Sequence, residues 1–194
     1  METVSIQGQV RDKNGKEAAK KYRAEGLVPC ILYSKGDNVQ FCVKPADLKN
    51  LVFNPDFKVA EIEISGQAHR CILKEIQWHP VTDAVVHIDF LKLIPGVPVK
   101  VELPIRLKGA AQGVKSGGKL VQRMRMVKIK TTPEHLISEM QTDITNLDLG
   151  QTMRIRDIKT ETGIEILTPA ATPIVSIEIP RALKTADAAT PAKK

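Results

Sequence analysis

Short apolar segments separated by turn residues run along most of this chain, and they constrain its fold more than any other feature. Residues 3–10 alternate between apolar and polar side chains, the period of a half-buried strand, although Gly8 occupies one apolar position. In the first half of the chain, the predicted strands are residues 3–10, 27–33, 39–43, 59–64, 71–78 and 84–93.

Two short helices are predicted between these strands. Residues 16–25 form the first, which ends at Gly26, and residues 45–52 form the second, with Pro45 in its first turn. Strands at this density, together with two small helices, predict an α+β domain built as a small β-barrel. A hinge is indicated at Ile94-Pro95-Gly96, so the first domain is assigned to residues 1–95.

The second half of the chain lacks a long helical pattern and predicts an all-β domain over residues 96–180, which makes the whole protein mostly β. Its predicted strands are residues 99–107, 120–130, 140–144, 152–155, 164–167 and 174–179. Within 120–130 the basic residues change face after Met126, and a β-bulge would explain the change. Residues 181–194 are small, polar and basic, which predicts a disordered tail.

The glycine-rich stretch 109–118 partly matches a phosphate-binding loop. That motif requires glycine immediately before Lys-Ser, whereas Val114 precedes Lys115-Ser116 here. The segment also connects two predicted strands rather than a strand and a helix. We therefore predict a flexible hairpin connection between the two strands and not a nucleotide site.

Composition narrows the class of protein. With 42% hydrophobic residues the chain can build a core, and no apolar run approaches the ~20 residues that span a bilayer. The first ten residues lack the pattern of a signal peptide, so we expect a cytoplasmic protein without a membrane partner.

The three cysteines are Cys30, Cys42 and Cys71. They have no metal-binding spacing and fall in apolar segments, which predicts buried free thiols.

Positive charge is concentrated locally rather than spread evenly. The net charge is +7, and residues 11–35 alone contain seven basic and three acidic side chains. On the predicted helix, Lys16, Lys20 and Arg23 share one face at spacings of four and three, and Arg11 and Tyr33 flank it. Such a patch is typical of a phosphate-binding surface, although most charge runs are solvated faces of amphipathic helices.

His87 and Asp89 are two residues apart in a predicted strand and therefore lie on one face. They could serve an enzyme as a base and its orienting carboxylate, contact nucleotides, or form an ordinary cross-strand pair. No nucleophile motif accompanies them and no further metal ligand is suitably spaced. The residues alone leave these alternatives open.

The order of these features resembles a known family. The matching residues of the first half are Arg11, Gly15-Lys16-x-x-Ala19-Lys20-Lys21-Tyr22-Arg23-x-x-Gly26-x-x-Pro29-x-x-x-Tyr33, Gln77-Trp78-His79-Pro80 and Val86-His87-Ile88-Asp89-Phe90. Those of the second half are Val97-Pro98-Val99, Gly109-x-x-x-Gly113-Val114-Lys115-x-Gly117-Gly118 and Asp143-Ile144-x-x-Leu147-x-x-Gly150. They resemble the bacterial large-subunit ribosomal proteins that bind 5S ribosomal RNA, in the long two-domain form called the general stress protein CTC type.

The resemblance implies a barrel that binds the irregular loop E region of 5S ribosomal RNA. By position, the implied contact residues are Arg11, Lys20, Arg23, Tyr33, His87 and Asp89, with Lys16, Lys21 and Gln77 at the margin. Tyr22 is interpreted as helix packing. The implied partners are 5S ribosomal RNA, the large ribosomal subunit and neighbouring ribosomal proteins, with no catalysis, cofactor, metal or small-molecule substrate. One alternative remains, a stress-related protein whose second domain binds another protein.

Overall fold

The computed structural model describes residues 1–13, 15–36, 38–158 and 163–180. The predicted tail, residues 181–194, lies outside the described residues, and so do Asn14, Asp37 and Thr162 in three predicted turns. The chain forms two compact units. The first comprises Met1–Val99 and Thr132–Ser138, and the second comprises Lys100–Thr131 and the described residues from Glu139 onward.

The first unit is a closed six-stranded barrel with two short helices. Its elements are β1 (Thr3–Val10), α1 (Lys16–Ala24), β2 (Val28–Tyr33), β3 (Val39–Val43), α2 (Pro45–Val52), β4 (Val59–Ile64), β5 (Gln67–Trp78) and β6 (Val85–Lys92). The strands close in the order β1-β3-β2-β6-β5-β4. The pairs β1–β4 and β2–β6 are parallel and the other four are antiparallel. The predicted barrel with short helices is confirmed.

Alternating apolar residues of the strands fill the interior of the barrel. The rings of Phe41 and Phe90 lie with centroids 5.9 Å apart among these buried side chains, and Leu48 and Leu51 of α2 join the same core. Gly8 interrupts the alternation of β1 because a Cβ there would lie 2.8 Å from Cδ2 of Phe41. A phenylalanine of the neighbouring strand thus fills the space that an apolar side chain at position 8 would need.

The three cysteines are buried free thiols, as the sequence predicted. Burial raises the pKa of each thiol, that of Cys71 to about 12. A thiol that stays protonated at neutral pH is a poor nucleophile and a poor metal ligand. The cysteines therefore act as small apolar residues of the barrel unit.

The second unit consists of two sheets. Its elements are β7 (Val99–Lys108), α3 (Gln112–Lys115), β8 (Lys119–Gln122), β9 (Met126–Thr131), β10 (Met140–Asp143), β11 (Thr152–Arg154), β12 (Ile164–Ile166) and β13 (Pro173–Glu178). One sheet has the order β10-β7-β9-β12 and the other the order β11-β13-β8. The prediction of an all-β second half is confirmed apart from the single helical turn α3 and short 3-10 turns at Pro133–His135 and Ile155–Asp157.

The prediction of one bulged strand over residues 120–130 is wrong. This stretch forms β8 and β9, which belong to different sheets. Between them, the backbone N–H of Arg123 donates to the Ile174 carbonyl at 2.7 Å, whereas the Arg125 carbonyl accepts from the Ile105 N–H at 2.8 Å. The chain crosses from one sheet to the other here, and this crossing explains the change of face that suggested a bulge.

The prediction of a hairpin connection over residues 109–118 is also wrong, because the strands that the segment joins, β7 and β8, belong to different sheets. The segment contains α3 and packs closely against the chain around Asp148 and Leu149. A Cβ at Gly113 would lie 2.6 Å from the Leu149 nitrogen, and one at Gly118 would lie 2.6 Å from the Gly113 carbonyl oxygen. The glycines permit this close backbone packing. None of the helices in the described part of the chain has the length and apolar character needed to cross a membrane.

Candidate nucleic-acid interface

Helix α1 presents most of the predicted cations at the surface of the barrel. It packs against β2, with Ala19 and Tyr22 half-buried, while its lysines and Arg23 are exposed. Lys16, Lys20 and Arg23 follow one flank of the helix, as the sequence predicted. Lys21 is turned about 160° from Arg23 around the helix axis, because each residue advances by about 100°. The predicted lysines therefore divide between two flanks.

Arg11 lies directly after β1 and beside α1. Its backbone N–H donates to the Gln40 carbonyl of β3 at 3.2 Å, and its guanidinium carbon lies 5.4 Å from the centre of the Tyr22 ring. The Arg11 Nε atom is buried and has no hydrogen-bond partner among the described residues. Tyr22 is therefore more than the packing residue that we predicted, since its ring also contacts the Arg11 cation.

Arg23 connects α1 to strand β6. Its Nε donates to the carbonyl oxygen of Val86 at 3.1 Å, across 63 positions of sequence. A guanidinium carries five N–H donors, and this bond uses one of them. The bond therefore orients the Arg23 side chain over β6 and leaves donors for an external acceptor.

His87 and Asp89 lie on the outer face of β6, because Ile88 and Phe90 alternate with them into the core. His87 Nδ1 lies 3.0 Å from Asp89 Oδ1, and the two side chains are only 16% and 18% exposed. Burial lowers the pKa of His87, which the charges of Arg23 and Arg11 lower further, while the Asp89 carboxylate acts in the opposite direction. The carboxylate only accepts hydrogen bonds, so Nδ1 carries the proton and the neutral imidazole presents Nε2 as an acceptor.

Gln77 and Tyr33 lie on the strands that flank β6. Gln77 of β5 is directly opposite His87, and Tyr33 of β2 is opposite Leu91, two residues beyond Asp89. Directly opposite residues project to the same face of a sheet. The structure thus brings Arg11 and Arg23 to the His87–Asp89 pair, places Gln77 beside His87, and puts Tyr33 farther along the same face.

Sequence reasoning missed Lys74 at this face. Its Nζ atom lies 5.2 Å from the centre of the Tyr33 ring. Lys74 lies between Leu73 and Glu75, where the register between β5 and β6 shifts. A signal was present, since the buried positions change from Cys71 and Leu73 to Ile76, and this change of phase is typical of a β-bulge.

The lowered pKa of His87 predicts a loss of stability in mild acid. Below the ordinary imidazole pKa of 6.5, the unfolded chain binds a proton at this position more readily than the folded chain does. We therefore expect the free energy of unfolding to fall as the pH drops from 7.5 to about 5.5, and to fall less in His87→Asn. Urea unfolding followed by fluorescence of Trp78, the single tryptophan, measures this difference. Since the pKa of His69 is also lowered and His69 stays in both proteins, an equal decline in the variant would contradict the assignment.

Comparison with known proteins identifies the family. Residues 6–90 match the family model described as Ribosomal L25p family, and residues 98–181 match the model described as Ribosomal protein TL5, C-terminal domain. Similar proteins named large ribosomal subunit protein bL25 occur in Azobacteroides pseudotrichonymphae (37% identical) and Phocaeicola vulgatus (36% identical). These alignments cover 93% and 97% of this chain and 96% and 98% of the two relatives.

A two-domain β protein that matches both models over most of its length is a structural ribosomal protein rather than an enzyme. The chain belongs to the bL25 family of large ribosomal subunit proteins. The resemblance to ribosomal proteins that the motifs indicated is confirmed. Membership of this family also agrees with the expectation of no catalytic activity. Of the alternatives for His87 and Asp89, a nucleotide contact and an ordinary pair of neighbouring side chains are left.

Proposed function

We propose that this protein binds 5S ribosomal RNA in the loop E region through the outer face of its barrel, as a structural constituent of the large ribosomal subunit. Residues 1–95 act as the RNA-binding domain and residues 96–180 as a separate β domain. The relatives carry the name of a large ribosomal subunit protein, which supports a cytoplasmic, ribosome-bound protein with neighbouring ribosomal proteins as further partners. The proposed contact residues are Arg11, Lys16, Lys20, Lys21, Arg23, Tyr33, Gln77, His87 and Asp89.

The observation that carries this proposal is the gathering of Arg11 and Arg23 around the half-buried His87–Asp89 pair. Arginine guanidinium groups bind phosphate oxygens through paired N–H donors. The His87 Nε2 and the Asp89 carboxylate instead accept hydrogen bonds. A backbone phosphate has no N–H or O–H group to donate to them. Nucleic acids supply both kinds of group, because base edges and the 2′-hydroxyl of RNA donate.

An irregular RNA helix suits such a mixed surface. In regular A-form RNA the major groove is deep and narrow, so side chains reach few base edges. A distorted region with a widened groove exposes those edges between its two backbones. Cations at the border of the face and acceptors within it match that arrangement of phosphates and base donors.

The Arg23→Ala variant tests the proposal directly. Hydrogen bonds to charged groups contribute about 1.5–3 kcal/mol, so we expect the variant to bind purified 5S ribosomal RNA roughly 10- to 150-fold more weakly. Gel-shift titrations in parallel with a 5S RNA whose loop E is replaced by a regular duplex measure both affinity and site. The wild-type protein is expected to bind the altered RNA poorly.

Arg70→Ala is the matched control. Arg70 is exposed on β5, seven residues before Gln77, or about 23 Å away along an extended strand. Its removal is expected to change RNA affinity less than threefold, in keeping with the small effects of exposed charges. Equal losses in Arg23→Ala and Arg70→Ala would show that the chain binds RNA through general charge and not through the proposed face.

A further inference from the structure

We propose that Lys74 is a further RNA-contact residue, whose ammonium group binds a phosphate from its position over the Tyr33 ring. This inference rests on the proposed function and adds a second cationic edge to the interface. None of the sequence motifs of the chain includes Lys74, and only the geometry of the barrel brings it to this face.

A β-bulge places Lys74 on the outer face. Leu73 is opposite Phe90 and Glu75 is opposite Asp89, so β5 advances two residues where β6 advances one. Strict alternation from Cys71 would have turned Glu75 and Gln77 toward the core. Because of the extra residue, Ile76 packs against the core, while Lys74 is exposed and Gln77 faces outward beside His87.

The Lys74 side chain crosses β6 to reach Tyr33. The strands are ordered β2-β6-β5, so Tyr33 and Lys74 belong to the two outer strands of this trio. The Lys74 Nζ lies 5.2 Å from the centre of the Tyr33 ring, within the range of a cation–π contact. The ammonium group therefore lies over β6. It is farther along this strand than Val86, to which Arg23 bonds.

The charge of Lys74 is held by a ring rather than by a carboxylate. The salt bridges between described residues do not include Lys74, and the nearby Asp89 is paired with His87. An aromatic ring orients an ammonium group without neutralising it. The positive charge of Lys74 is therefore available to a phosphate, and such a contact releases a counterion from the RNA.

Two cations are held on either side of the His87–Asp89 pair along β6. Arg23 bonds to Val86, which precedes the pair, and Lys74 lies over Tyr33, which is opposite Leu91 beyond the pair. A helical RNA presents two phosphate backbones with base edges between them. Cations at two edges, with hydrogen-bond acceptors between, fit one such groove.

Salt dependence distinguishes a phosphate contact from a structural role. The variant Lys74→Met keeps the aliphatic stem and loses the charge, and Lys74→Arg keeps the charge. For full-length protein and purified 5S ribosomal RNA, we expect the slope of log affinity against log salt to be less steep by about one in Lys74→Met. Its affinity deficit should therefore shrink about three- to fourfold between 50 and 200 mM salt. Lys74→Arg should retain the wild-type slope.

The remaining outcomes separate this inference from the proposed function. If wild-type protein binds the RNA and Lys74→Met has an unchanged slope, Lys74 only orders the Tyr33 ring and the inference is overturned alone. If wild-type protein fails to bind 5S ribosomal RNA, the proposed function and this inference both fail.

Discussion

Phe90→Ala is expected to lower the free energy of unfolding of the barrel unit by about 3–5 kcal/mol. Phe90 is fully buried, and its ring lies 5.9 Å from that of Phe41 at the centre of the barrel core. Removing the ring loses the free energy of burying its apolar surface. It also leaves a cavity, which the surrounding strands of a closed barrel fill only partly. Because domains have a total stability of about 5–15 kcal/mol, the loss is a large share of it. The midpoint of urea unfolding, followed by Trp78 fluorescence, measures the effect.

Phe53→Ala is the control for this substitution. Phe53 is 66% exposed and contacts Trp78 edge to face, with ring centroids 5.6 Å apart. Its removal is expected to cost no more than about 1.5 kcal/mol, the value of an aromatic pair. If both variants unfolded at the same urea concentration, Phe90 would not be at the centre of a cooperative core.

Asp89→Asn is expected to weaken binding to 5S ribosomal RNA by roughly tenfold to a hundredfold, the effect of losing a charge-assisted hydrogen bond. The carboxylate accepts from His87 Nδ1 at 3.0 Å, which leaves Nε2 as an acceptor. An asparagine amide can donate to Nδ1 instead, and the imidazole would then carry its proton on Nε2. The variant therefore changes both acceptors of the face at once. Gel-shift titration at constant salt measures the loss.

The direction of this effect is informative, because Asp89→Asn also removes a negative charge. If the face contacted only phosphates, the substitution would strengthen binding. Glu75→Gln is the matched control, since Glu75 is directly opposite Asp89 and the charge change is the same. It is expected to leave the affinity within about fivefold of wild type, as for other exposed charges. A stronger complex in both variants would refute the acceptor role of the His87–Asp89 pair.

Part of this face follows from local rules. A period of two places His87 and Asp89 on one side of β6, and a helical period places Lys16, Lys20 and Arg23 on one flank of α1. Both groupings agree with the structure, whereas the binding role of these residues remains a proposal. The contact between Arg23 and Val86 spans 63 positions and has no local signal. For Lys74, the change of phase between Leu73 and Ile76 was a local sign of a bulge, but its contact with Tyr33 of β2 has no local signal.

The sequence by itself determined the strands and the two helices of the barrel unit, within a few residues at their ends. Residues 39–43, 45–52 and 59–64 have the predicted bounds, because alternation, a proline at a helix start and turn residues all act over a few positions. Tertiary structure alone decided the closing order of the barrel, the crossing between β8 and β9 and the tight packing of α3. It also decided the lowered pKa of His87, which arises from burial and from the charges of distant arginines. Pairing, burial and electrostatic coupling join residues far apart in the chain, and no local pattern encodes them.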